Sequence, residues 1–125
     1  MVHMRIGLLF CATLLIFTLP LNAGEGLSMR VRPTVAMAPA TVTVVVRVES
    51  DRENRALEVV AESEEFFRSS QVQLDGADAR RVNTFEFRDL PSGAYQVSGR
   101  VTRADGRQLA VTNSLKVTWG VRSSR

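Results

Sequence analysis

Apolar residues recur at every second position along most of this chain, and that spacing restricts it to β-sheet with one buried face. In the stretch Thr41–Glu49, Val42, Val44, Val46 and Val48 share one side, while Thr43, Arg47 and Glu49 share the other. Leu57, Val59 and Ala61 alternate with Glu58, Val60 and Glu62. Val72 and Leu74, then Phe85 and Phe87, then Tyr95, Val97 and Val101 continue the pattern. The last run places Leu109, Val111, Leu115, Val117 and Trp119 on one side, with Thr112, Ser114, Lys116 and Thr118 opposite. That register predicts Trp119 in the core. An opening strand is read through Met29, Val31 and Val35.

Turn residues separate these runs: Ala38-Pro39-Ala40, the polar Ser50–Asn54, and the Asp-Gly pairs at Asp75-Gly76 and Asp105-Gly106. Asp-Gly tolerates the positive φ of tight hairpins. About seven strands result, with no convincing helix, so the expected fold is all-β: an antiparallel two-sheet sandwich, Ig-like in plan.

The first residues follow a different rule. Arg5 precedes an apolar run, Ile6–Leu21, which ends at Pro20 and the small residues Ala23 and Gly24. A basic start, an apolar centre and a small-residue exit predict a secretory signal peptide over 1–23, with an uncleaved anchor as the alternative. The sandwich is expected over 24–120, with a frayed tail at 121–125. The run is short for a membrane span, which takes about 20 residues. Cys11 lies mid-run after the bulky Phe10, which argues against a lipoprotein cysteine.

Cleavage would have chemical consequences. Cys11 and His3 are the only cysteine and histidine of the 125 residues. A mature chain would have no disulfide, no thiol or imidazole nucleophile, and no Cys/His metal site. Loss of Arg5 leaves fifteen basic residues against thirteen acidic ones. Acids and bases alternate along the sequence, with neither the basic stripe of a nucleic-acid binder nor a basic amphipathic helix for a membrane surface. No phosphate loop, nucleotide fingerprint or internal repeat is present.

Leu90-Pro91-Ser92-Gly93-Ala94-Tyr95 reads as a tyrosine corner, in which the phenol bonds back to the upstream backbone. The segment Leu90–Gly106 resembles part of bacterial immunoglobulin-like and fibronectin type III-like modules, and of carboxypeptidase-regulatory-like modules. The cysteine pair and third-strand tryptophan of antibody domains are missing. The resemblance implies a stalk, spacer or adhesion module with no catalytic residues.

Phe66 and Phe67 cannot both face the core of a regular strand. Phe66, Phe67, Arg68, Gln71 and Gln73 are therefore the candidate edge for a partner strand. Glu62, Glu64 and Glu65, and Asp75 with Asp78, are weighed as calcium ligands and read instead as loop and turn residues. The expectation is an exported, non-catalytic binding or structural module, periplasmic or at the cell surface, not an enzyme. It would need no cofactor and would contact a protein partner of the bacterial envelope. A carbohydrate-binding module is the alternative, with glycan as ligand; neither nucleic acid nor, after cleavage, membrane is an expected partner.

Overall fold

The structure, a computed structural model, describes residues 26–119. The leader expected over 1–23 and the tail at 121–125 lie outside the described residues. Eight strands form: β1 Leu27–Arg32, β2 Val35–Met37, β3 Ala40–Val48, β4 Asn54–Glu62, β5 Phe67–Gln73, β6 Val82–Leu90, β7 Gly93–Arg103 and β8 Gln108–Thr118. They make two sheets, one of three strands in the order β1-β3-β6 and one of five in the order β2-β8-β7-β4-β5. The chain is an all-β sandwich.

The core lies between the sheets and is built from the alternating residues. Val42, Val44 and Val46 of β3 face Leu57 and Val59 of β4 and Val97 and Val101 of β7, all with no measurable exposure. Each such side chain contributes about 1.5–3 kcal/mol relative to leaving it in water. Asn113 of β8 reaches across the layers, its Nδ2 donating to the Met29 carbonyl of β1 at 3.1 Å.

Three details depart from the reading of the sequence. The single opening strand is two strands in different sheets: Pro33 and Thr34 carry the chain from β1, paired with β3, to β2, paired with β8. Proline removes a ladder donor, so the strand stops there. The β2–β8 pairing is parallel, where only antiparallel pairs were expected. Trp119 is also not in the core. It is 78% exposed, because its alternation continues past the end of β8 at Thr118, beyond the paired sheet.

The end of the sandwich holding the β3–β4 and β7–β8 turns is tied by one buried amide. Asn54, 1% exposed, donates from Nδ2 to the Glu49 carbonyl at 3.1 Å and accepts from Arg103 Nε at 3.3 Å. Arg103 also meets the Asp51 carboxylate at 3.5 Å. In the β7–β8 turn, Gly106 takes φ +93°. Asp105 Oδ1 accepts from the Arg107 N–H at 2.9 Å, and that backbone bond holds the Asp105 carboxyl below its usual range.

Candidate functional site

Tyr95 is 1% exposed, and its hydroxyl donates to the Pro91 carbonyl at 2.7 Å, four residues upstream. Gly93 stands where a Cβ would press on Ser63 at 3.3 Å. Leu90 is fully buried beside the turn. Burial pushes the Tyr95 phenol above its ordinary pKa of 10.0, with the Ser63 hydroxyl partly opposing. The Phe66 ring meets Tyr95 edge-on, at 6.2 Å between centroids and 73° between planes. Arg68 lies 5.1 Å over Phe66, and its Nη1 donates to the Arg88 carbonyl of β6. Tyr95, Phe66 and Arg68 thus link the two sheets.

The five candidate edge residues therefore divide. Phe66 and Arg68 turn inward and are half-buried, whereas Phe67, Gln71 and Gln73 are exposed on the other side. No bulge interrupts the β4–β5 register, so strict alternation decides which phenylalanine faces the core.

A second group of residues was not legible along the chain. β1 and β3 pair antiparallel, with Ser28 opposite Arg47, Arg30 opposite Val45 and Arg32 opposite Thr43. Arg30, Arg32 and Arg47 all lie on the outer side of the three-stranded sheet and are exposed. Strand geometry puts Arg30 and Arg32 about 6.6 Å apart at their backbones. Arg47 is the diagonal neighbour of Arg30, at about 7–8 Å. Arg81, just before β6, extends the group beside Arg47, its carbonyl accepting from the Val48 N–H at 2.8 Å.

The three strand arginines, with Ser28, Met29, Thr43 and Val45, line an open hollow of about 610 Å³. A smaller hollow of about 290 Å³ adjoins it at Arg47, bounded by Gly26, Glu49 and Arg81. Among the described residues none of these four arginines has an ion-pair partner. Of the acids on that side, Glu86 is taken by Arg88 at 3.0 Å, and Glu49 bounds the smaller hollow beside Arg47 and Arg81 without an ion pair among the described residues. The five-stranded sheet is different: its Arg100 faces Glu58 at 3.6 Å. In the sequence the only hint was the two-residue spacing of Arg30 and Arg32. Arg47 joins them only through the strand register.

The carboxylates do not assemble. Asp75 precedes a single 3-10 turn at Gly76–Asp78, and Glu62, Glu64 and Glu65 are spread over the end of β4 and the loop after it. Among the described residues no three His, Cys, Asp or Glu side chains are placed to hold a metal ion.

No protein-family model matches the chain, and no curated protein sequence does. Solved structures do match. Superoxide reductase (neelaredoxin) from Ignicoccus hospitalis is 17% identical, with TM-score 0.59, over 74% of this chain and 80% of that one. Two single-substitution variants of the same protein give 0.61 and 0.58 at 16% identity, covering 76% and 72% of this chain and 82% and 79% of theirs. At such identity the likeness is one of fold.

It nevertheless corrects the earlier reading. The matching structures are superoxide reductases, not immunoglobulin-like, fibronectin type III-like or carboxypeptidase-regulatory-like modules. The expectations of a non-catalytic protein-binding or structural module, of a carbohydrate-binding module and of no enzyme activity were argued from that resemblance, from the sandwich architecture and from the missing cysteine and histidine. The same matches correct them, since those solved proteins are superoxide reductases. The physical reason is that a Leu-Pro-x-Gly-x-Tyr corner records a local crossover between layers, not a strand order.

Reduction of superoxide is one-electron chemistry and calls for a redox centre, such as a transition metal held by imidazole, thiolate or carboxylate. Residues 26–119 contain neither histidine nor cysteine. With the carboxylates dispersed as well, this donor set does not fit a transition-metal centre, and no step is derived through one.

Proposed function

We propose that this protein binds a phosphate-bearing anion on the outer face of its three-stranded sheet. The observation that carries the reading is the cluster of Arg30, Arg32, Arg47 and Arg81, exposed and without ion-pair partners among the described residues. Guanidinium groups offer paired donors that match phosphate oxygens, and they stay charged at any physiological pH. Two unit charges 7 Å apart in water repel by about 0.6 kcal/mol, so an unneutralised cluster is a standing cost that a bound anion removes. Ser28, opposite Arg47, and Thr43, opposite Arg32, line the same hollow and add uncharged donors. Inorganic polyphosphate, with anionic groups repeated along a chain, is the natural probe.

Retention on a phosphocellulose column tests this. Arg30→Ala, Arg32→Ala and Arg47→Ala should each elute at lower salt, and the triple variant should not be retained. Arg100→Ala, which removes a paired arginine, should elute like the parent. Equal elution of all the variants would overturn the proposal.

A further inference from the structure

We infer that β5 pairs with β5 of a second copy, joining two five-stranded sheets into one. The inference starts from the sheet edges. A free strand edge is a template for pairing, and proteins block it with charges, prolines, bulges or short length. Among the described residues, three of the four sheet edges carry such devices. β1 bears Arg30 and Arg32 and ends at Pro33, β2 is three residues long between Pro33 and Pro39, and β6 presents Glu86 and Arg88. β5 carries only one of them, a single charge. It runs seven residues, Phe67–Gln73, without proline, acid or bulge. Its one charge, Arg68, is turned inward onto the Arg88 carbonyl.

The hydrogen-bonding phase of β5 suits a second copy. Bonds from the Leu74 N–H to the Arg55 carbonyl (2.8 Å) and from the Ser63 N–H to the Phe66 carbonyl (2.9 Å) flank the β4–β5 ladder. The antiparallel alternation then turns the backbone groups of Arg68, Ser70 and Val72 toward β4, and those of Phe67, Ser69, Gln71 and Gln73 outward. Around a two-fold axis at Ser70, Phe67 meets Gln73 of the other copy and Ser69 meets Gln71. All four outward-facing residues are then paired in a single register, making about eight hydrogen bonds. The side chains brought together are uncharged except Arg68, which stands opposite Val72 of the other copy. One juxtaposition is unfavourable: past the strand ends, Glu65 of one copy approaches Asp75 of the other. Salt screens that repulsion, so this association should tighten as ionic strength rises. Anion binding by the arginine face should weaken under the same change, which keeps the two proposals separable.

Sedimentation of the full chain over a concentration series tests the inference. The expected result is a dimer that dissociates on dilution and strengthens with salt. Gln71→Pro removes an outward N–H without touching the bonds to β4, and should weaken the dimer at least tenfold. Amide exchange of the parent protein provides an independent readout if that variant folds poorly. The amides of Phe67, Ser69, Gln71 and Gln73 should be slowed at high concentration and fast at low concentration. A monomer at all concentrations, a dimer unaffected by Gln71→Pro in a folded variant, or concentration-independent exchange at these four amides would each overturn it.

Discussion

Tyr95 combines a buried phenol, a hydrogen bond to the Pro91 carbonyl and an edge-on contact with Phe66. Tyr95→Phe leaves that carbonyl without its donor and should cost about 1 kcal/mol, read as a lower Tm or urea midpoint. The phenol also sets an alkaline limit. Its folded pKa is raised above the ordinary 10.0, so folding favours the neutral form. The stabilisation is complete below pH 10.0 and is lost as the pH rises through the folded value. Tyrosinate absorbance should therefore appear at higher pH in the folded protein than in the unfolded chain, and the Phe variant should lose less stability than the parent as the pH rises above 10.0. Asn54 was not visible as a structural residue in the sequence, where Ser50–Asn54 reads as a polar loop. Its two side-chain bonds close the turn end of the sandwich, and Asn54→Leu should cost about 1–3 kcal/mol by leaving the partners unsatisfied. Polarity alone could not reveal this, because burial of a loop amide depends on which distant turn folds over it.

At the scale of strands, period-two alternation was enough to place Val42, Val44 and Val46, Leu57 and Val59, and Phe85 and Phe87 on inward faces. It failed where the chain changed sheets. The apolar spacing of Met29, Val31 and Val35 suggested one strand, but β1 and β2 share neither a sheet nor a phase, Val35 and Met37 being exposed, and only Pro33 marks the break. The arginine face was hidden for a related reason: Arg30 and Arg32 lie on one strand and Arg47 on another, joined by a register that no local pattern encodes. This face predicts opposed effects on binding and stability. Arg47→Ser should weaken phosphate binding, yet at low ionic strength raise stability by about 0.5 kcal/mol through relieved repulsion, measured as an increase in Tm that disappears with added salt. A fall in Tm would show that Arg47 is held by contacts within the fold.

For the whole molecule, the two-layer architecture follows from composition and alternation, but the strand order β2-β8-β7-β4-β5 does not. The Tyr95 corner pointed to immunoglobulin-like modules because sandwiches of different topology share that local device. The likeness to superoxide reductases is one of fold over 74% of the chain, which no short motif carries. On this architecture the chain packs a core rich in valine and gathers arginine on one outer face. Calorimetric titration of inorganic polyphosphate into the full chain at two salt concentrations tests the central claim most directly. The account predicts binding that weakens steeply as salt rises and is lost in the Arg30→Ala/Arg32→Ala/Arg47→Ala triple variant, with Arg100→Ala unchanged. Binding that is absent at low salt, or equal in the triple variant and the parent, would contradict it.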